Sequence, residues 1–374
     1  MAGRRILFYC HNLYGLGHIR RSTRLASACV DRGATCAVVT GCKSLGALSW
    51  DPRIVLFELA PLAVGEDQQF FEAGHPERTD VIARRTAKIE EVMADFSPDV
   101  FVVDYLPGGI GGELLPLGAD PSPVPQSCQV VLGVPYTKRI SRPAAPPRNP
   151  RVRRWADRFD AVLAYTDPAW ENPLSPLEPG GLPGNRGFSG FITGVPAKTR
   201  AENQRVVILA GGGREAIEMA PLLRESLERL VAETGISVRC VVGPLGDFES
   251  VREILSPFAT VVPSGEVEEA VEGASVIISR CGYNSAYTLL RSDAPIVFMP
   301  QISPCYEQLD RAESLRPLDR VLVVRENDEG ASDKLRSAVE KSLAEPHRAR
   351  ELPFAVDGDR VAAEWLLSLG PSVK

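Results

Sequence analysis

Between residues 275 and 308 the chain carries residue types at a spacing that could hold a phosphorylated ligand. An apolar run, Ser275-Val276-Ile277-Ile278, stops at Ser279-Arg280-Cys281-Gly282-Tyr283-Asn284-Ser285. That is the pattern of a buried parallel strand feeding a helix. Asn284 and Ser285 stand where the helix would start, and the open N–H groups of a helix start bind anions, phosphate above all. A second apolar strand, Pro295 to Pro300, follows, and Glu307-Gln308 is expected in the loop beyond it. The spacing predicts phosphate at the first turn and a polar ligand reached by the second loop. A strand–turn–helix–strand unit with an ordinary N-cap is the plainer alternative, because single Gly-turn signals are common.

Arg280-Cys281-Gly282-Tyr283-Asn284-Ser285, with Glu307-Gln308 downstream, resembles the donor-sugar signature of nucleotide-sugar glycosyltransferases of the GT-B fold. MurG-like transferases are the nearest pattern, and the likeness runs over nearly the whole chain. In that family a His-Cys-Gly-Trp-Asn-Ser run binds the diphosphate, and an Asp-Gln or Glu-Gln pair holds the sugar hydroxyls. The resemblance therefore implies donor contacts from Arg280, Gly282, Asn284, Ser285, Glu307 and Gln308. Two positions depart from the pattern. Arg280 replaces the family's His, a conservative change for a phosphate partner. Thr288 stands where the family usually has a Glu on the ribose hydroxyls, which is not conservative.

The N-terminal half has its own loop of interest. Strand Arg5 to Tyr9 leads into His11-Asn12-Leu13-Tyr14-Gly15-Leu16-Gly17-His18, then a helix from Ile19 to Arg32 and a strand from Thr35 to Thr40. A dinucleotide fingerprint needs Gly-x-Gly-x-x-Gly and an acid after the second strand. Gly15-Leu16-Gly17 lacks the third glycine and Thr40-Gly41 supplies no acid, so a nicotinamide enzyme is disfavoured. Gly17-His18-Ile19 resembles instead the Gly-His motif on the acceptor side of GT-B transferases, which implies His18 as general base. A histidine that only satisfies backbone groups at a helix start is the alternative.

Phe101-Val102-Val103-Asp104 is an apolar strand ending in a carboxylate, at the edge where sites gather in open α/β sheets. Related plant-type transferases pair an Asp here with the His, which would fix the imidazole tautomer and stabilise the imidazolium. An N-cap before Gly108-Gly109 is the other reading of Asp104, and the sequence does not separate the two. Gly17, Tyr105 and Arg139 complete the acceptor-side set. The prolines and arginines of 139–150 are read as an exposed loop, and the basic run Arg148, Arg151, Arg153 and Arg154 as a solvated helix face, with a loop that meets an anionic acceptor as the alternative.

These residues need elements to position them. Strands are expected at 54–59, 129–134 and 161–165, a helix at 78–96, and loops at 70–76 and 168–187. A new unit starts after Gly194-Val195-Pro196: strand Val206 to Leu209 meets Ala210-Gly211-Gly212-Gly213-Arg214, then a helix over 217–233. Such glycines permit close backbone approach next to a positive helix start. In the resembled family this turn (Gly211, Gly212, Gly213, Arg214) faces the donor diphosphate, and Gly265 and Glu266 lie where the nucleotide base is held. Further strands at 238–242, 260–263 and 321–324 alternate with helices at 249–255, 267–272, 332–345 and 358–369. The expected fold class is α/β, GT-B, two doubly wound Rossmann-like domains facing across a cleft. Residues 1–194 form the acceptor domain, 195–345 the donor domain, and 346–374 a C-terminal helix returning to the first.

Composition narrows the classes. A chain of 374 residues is long enough for two domains. A net charge of −6 argues against a general nucleic-acid binder. No apolar stretch nears the ~18 residues of a membrane span, and Met-Ala-Gly-Arg-Arg runs straight into a strand with no signal peptide; a cytoplasmic protein is expected. The cysteines show no Cys-x-x-Cys pair, and the 4 histidines are too dispersed for zinc spacing. No disulfide, metal or cofactor is expected, His75 is read as a loop residue, and His347 receives no role.

The resulting expectation is an inverting, metal-independent hexosyltransferase. Its partners are a nucleoside-diphosphate sugar, of UDP-glucose or UDP-GlcNAc type, and a small soluble acceptor such as a nucleoside or other secondary metabolite. Oligomeric state is not legible. A nucleotide-sugar 2-epimerase and a catalytically inactive nucleotide-sugar binding protein are the alternatives.

Overall fold

The computed structural model describes residues 3–11, 15–42, 45–65, 69–135, 157–174, 182–196, 204–211, 215–263, 267–302, 306–346 and 348–372. The chain divides into two units. Unit 1 comprises Met1–Leu45, Trp50–Ile192 and Phe354–Lys374; unit 2 comprises Gly46–Ser49 and Thr193–Pro353.

In unit 1 the strands are β1 (Arg5–Cys10), β2 (Thr35–Thr40), β3 (Val55–Glu58), β4 (Leu62–Val64), β5 (Phe70–Glu72), β6 (Val100–Asp104), β7 (Gln129–Pro135), β8 (Ala161–Tyr165) and β9 (Asn185–Phe188). Seven of them form one parallel sheet in the order β3-β2-β1-β6-β7-β8-β9. Ile6 to Cys10 and Val100 to Asp104 are buried throughout, as expected for central strands covered on both faces. Order reverses between β1 and β6, so the carboxyl ends of these two strands flank the topological switch point, where ligands bind in open α/β sheets. Their register sets Cys10 beside Asp104.

Helix α1 (Gly17–Val30) buries Ile19, Ser22, Leu25, Ala26 and Cys29, one stripe of helical period. Gly33, at φ +84°, closes it. Helix α2 (Val81–Phe96) buries Ile89, Val92, Met93 and Phe96. The C-terminal helix Gly358–Ser368 lies against α1, β8 and β9. It is tied by Phe191 N–H to the Ala355 carbonyl at 2.8 Å and Gly358 N–H to the Phe191 carbonyl at 3.1 Å. Two expected loops contain strands. Residues 70–72 pair antiparallel with 62–64, a hairpin too short to show alternation. Residues 185–188 form the sheet's edge strand; with Asn185 and Arg186 exposed, it lacks the apolar run of a central strand.

Unit 2 holds β10 (Arg205–Leu209), β11 (Ser237–Val242), β12 (Thr260–Pro263), β13 (Val276–Ser279), β14 (Ile296–Phe298) and β15 (Val321–Val323), parallel in the order β12-β11-β10-β13-β14-β15. The helices are α3 (Glu215–Thr234), α4 (Phe248–Leu255), α5 (Val267–Ala270), α6 (Tyr283–Leu289), α7 (Glu307–Leu315) and α8 (Ala331–Leu343). Met219, Leu223, Leu227 and Leu230 of α3 and Leu335 and Val339 of α8 close over Val206, Ile208, Val276 and Ile278. The order reverses between β10 and β13, with Leu209 opposite Ser279, so unit 2 repeats the switch point of unit 1. Residues 346–353 stay with unit 2, where the half-buried Arg350 guanidinium donates to the carbonyls of Ser292, Ala294 and Asp319.

Candidate active site

His18 is the second residue of α1 and Asp104 the last of β6, and the switch point of unit 1 brings them together. His18 Nδ1 lies 2.5 Å from Asp104 Oδ2. Arg21, one helical turn after His18, grips the same carboxylate: Nε to Oδ1 at 3.1 Å, and Nη2 to Oδ1 at 2.8 Å and to Oδ2 at 2.7 Å. Asp104 and Arg21 are buried, whereas the His18 side chain is 28% exposed. Burial alone would raise the Asp104 pKa, but the Arg21 guanidinium, together with the hydrogen bond from His18, holds it well below the usual carboxylate range.

Two contacts at His18 Nδ1 make opposite demands. Arg21 Nη2 lies 3.0 Å away and can only donate, but its hydrogens already have the two Asp104 oxygens, at 2.8 and 2.7 Å. The carboxylate can only accept, so a 2.5 Å approach to it requires the proton on Nδ1. Nε2 then carries the lone pair, which is the atom a base would use. Asp104 is therefore not an N-cap; its oxygens go to α1.

His11 follows β1 and sits with its ring centroid 3.9 Å from that of His18. Burial and the His18 charge push its pKa down to about 3, and its buried Nδ1 has no hydrogen-bond partner. Tyr105 is held at φ +70° with its N–H on the Gly133 carbonyl at 2.8 Å. Its ring lies 6.0 Å from His18 and 6.1 Å from His11, inclined by 27° and 30°. Gly17, exposed, opens α1 beside His18. Arg139 lies outside the described residues.

A buried network fixes the loop beyond Tyr105. Glu113 Oε1 accepts from Tyr9 Oη at 2.7 Å and from Arg85 Nε and Nη2 at 3.0 and 2.7 Å, while Oε2 accepts the Gly111 N–H at 2.8 Å. Every partner is satisfied, which is what lets a charged pair stay buried. Sequence reasoning missed Arg21, His11 and this network. A signal existed for Arg21: a His-x-x-Arg pair at one-turn spacing shares a helix face.

In unit 2 Gly211 follows β10 at φ +91°, and its carbonyl accepts the Gly243 N–H at 3.1 Å. Gly212, Gly213, Arg214, Gly265 and Glu266 lie outside the described residues. Gly282 caps α6 in an extended conformation, and Asn284 and Ser285 are half-buried in its first turn. Glu307 and Gln308 do not sit in a loop; they open α7. Gln308 Oε1 accepts the N–H groups of Cys281 and Gln301, both at 3.2 Å. Arg311, buried, donates to the Cys281 carbonyl at 2.6 Å and to Glu307 Oε1 at 2.5 Å. Both backbone groups of Cys281 are thus clamped by α7, and the Glu307 side chain stays 38% exposed. Nothing in the local pattern marked Arg311 for this.

Two expected donor contacts have other engagements. The buried Arg280 places Nη1 3.1 Å from the Met299 carbonyl and 2.5 Å from Glu326 Oε1. Burial raises the Glu326 pKa, opposed by Arg280 and reinforced by Glu218. The guanidinium braces the ends of β13 and β14 to the segment after β15 and is not presented as an open phosphate partner. Thr288 is 1% exposed, and its hydroxyl accepts the Gly194 N–H at 3.0 Å. The side chain is closed to solvent and its hydroxyl is engaged within unit 2.

No protein-family model and no curated protein sequence matches the chain. Solved structures do. The calicheamicin glycosyltransferase CalG4 superposes with a TM-score of 0.58 at 17% identity, over 98% of this chain and 95% of its own. Glycosyltransferase VinC in complex with dTDP gives 0.56 at 16%, over 97% and 94%. MurG of Acinetobacter baumannii gives 0.51 at 13%, over 97% and 94%. Two parallel sheets, each reversing strand order at its centre, and these end-to-end likenesses give the chain the GT-B fold.

Proposed function

We propose that the chain is an inverting, metal-independent hexosyltransferase that uses a nucleoside-diphosphate sugar and a small hydroxyl-bearing acceptor. The observation that carries this reading is the 2.5 Å contact between His18 Nδ1 and Asp104, with Nε2 left as the proton-accepting atom of a part-exposed ring. His18 Nε2 takes the proton of the acceptor hydroxyl while its oxygen attacks the anomeric carbon. The bond from that carbon to the diphosphate oxygen breaks, and its electron pair leaves with the phosphate. Asp104 stabilises the imidazolium formed. On unit 2 the first turn of α6, with Asn284 and Ser285, offers N–H donors to the leaving charge. Glu307 and Gln308 bind the sugar hydroxyls from the start of α7. Arg280 acts by bracing that turn, and Thr288 by packing. The likeness in fold to glycosyltransferases supports the reaction class.

Uridine is the first choice of base and a soluble metabolite the first choice of acceptor, in the cytoplasm. Among the described residues no helix is long and apolar enough to cross a membrane, which is consistent with an acceptor met in water. The test is a matrix of uridine- and thymidine-linked sugars against hydroxylated acceptors, read by mass spectrometry. Nucleoside diphosphate released only when an acceptor is present is the expected result. One observation favours keeping the 2-epimerase in that test: two further carboxylates stand near the end of β14, Glu326 at 2.5 Å from Arg280 Nη1 and Glu218, which accepts from Gln301 Nε2 at 3.2 Å. Recovery of an epimerised donor, with no acceptor added, would replace the transferase reading.

A further inference from the structure

We infer that Arg21 is a positioning residue that sets the charge of the acid–base centre: its guanidinium pairs with the Asp104 carboxylate and offsets the negative charge that would otherwise face the His18 ring. The inference deepens the reading of His18 as base, yet its test needs no substrate.

A lone carboxylate against an imidazole draws a proton onto the ring, because an opposite charge at ~4–6 Å moves a titration by about one to three units. A ring protonated before the acceptor arrives cannot take the acceptor's proton. His18 stands in that danger, since Asp104 is 2.5 Å away and ionised. Arg21 supplies the opposing charge where it counts. Its Nη2 reaches both carboxylate oxygens, at 2.8 and 2.7 Å, and stands 3.0 Å from His18 Nδ1. Arg21 and Asp104 side chains are 3% and 2% exposed, so water screens neither charge well.

Four further titratable groups face this centre among the described residues. From the end of β1, His11 is pushed down to about 3 and the Cys10 thiol up to about 12, burial being the first cause of both. Tyr105, after β6, and Tyr165, at the end of β8, present phenol rings. Tyr165 lies 5.1 Å below the Arg21 guanidinium carbon, a cation–π distance. Gly133, opposite Asp104 in the sheet, makes room for it: a Cβ there would meet the Tyr165 hydroxyl at 1.9 Å. The sheet thus builds a seat for the guanidinium as well as for the carboxylate.

The experiment is an NMR titration of the four histidines of the full-length chain, with the His18 signal assigned by its loss in H18Q. In Arg21→Met the His18 midpoint should rise by about one unit or more, and Arg21→Lys should keep it near wild type. A lone buried carboxylate can prevent folding, so a second comparison removes it. Asp104→Asn should lower the midpoint, and adding Arg21→Met to that variant should raise it again by about one unit or more. If the midpoint does not rise when Arg21 is removed from either folded background, the inference is overturned, whatever the assay of sugar transfer shows. A purely structural arginine would change stability and leave the midpoint where it was.

Discussion

Thr288 Oγ1 accepts the Gly194 N–H at 3.0 Å from a side chain closed to solvent, so a buried hydroxyl ties α6 to Gly194. Thr288→Val keeps the shape and leaves that N–H unpaired, at a cost of about 1–3 kcal/mol in urea unfolding. Thr288→Glu forces a carboxyl into the same space and should lose more. Calorimetry with UDP should show less than about a threefold change for the Val variant. A loss of about tenfold with an unaltered unfolding midpoint would return Thr288 to the nucleotide site.

His18→Gln should lower turnover by ~100-fold or more with little change in donor affinity, since a general base acts on the chemical step. Asp104→Asn should fall in the same direction, because an amide can donate to Nδ1 and stabilise the wrong tautomer. Turnover of the His18 variant within a few-fold of wild type would remove the base assignment.

His11 makes stability depend on pH. Unfolded histidine binds its proton near 6.5, whereas folded His11 does so only at about 3. Between those values the unfolded state holds more protons, so stability is full above pH 6.5 and declines as pH falls towards 3. From pH 7 to pH 5 the loss is roughly 1.5 units at about 1.4 kcal/mol each, about 2 kcal/mol. His11→Phe, which keeps a flat ring, should lose about 2 kcal/mol less over that interval in urea unfolding. Equal losses in the two proteins would show that His11 is protonated in the folded chain.

Gln308 reads as a clamp through its Oε1, which receives two backbone N–H groups. Gln308→Leu should weaken UDP-sugar binding by about tenfold or more and cost about 1–3 kcal/mol of stability per N–H left unpaired. Gln308→Glu retains an acceptor oxygen and should restore the stability. If it restores stability without restoring sugar affinity, the side-chain amide itself contacts the donor.

Activity should survive excess chelator, because helix-start N–H groups can carry the diphosphate charge. Loss of turnover on chelation, recovered with magnesium or manganese, would move leaving-group stabilisation from α6 to a metal ion.

Periodicity and punctuation made most of the scaffold legible. The runs Ile6 to Tyr9, Phe101 to Val103 and Val276 to Ile278 are buried on both faces, and a strand buried on both faces must be apolar along its whole length. The alternation of such runs with amphipathic helices already specified parallel sheets and made Asp104, at a strand's carboxyl end, and Asn284, at a helix start, visible as candidates; His18 was singled out by its resemblance to the Gly-His motif. Strand β9 escaped because an edge strand need not be apolar, and the hairpin of 62–64 and 70–72 because three residues show no period.

Partner choice was decided by the tertiary structure. Whether Asp104 capped a helix or met His18, whether Arg280 opened to a ligand or closed on Glu326, and whether Thr288 faced a ribose or Gly194 all depended on which side chains the strand order brought within hydrogen-bond range. Sequence spacing orders residues along one helix or strand, so it placed His18 and Arg21 on the same turn. It carries no information across the separation of 83 positions from Arg21 to Asp104, and the charge balance of the site exists only because the crossover from β1 to β6 closes that gap.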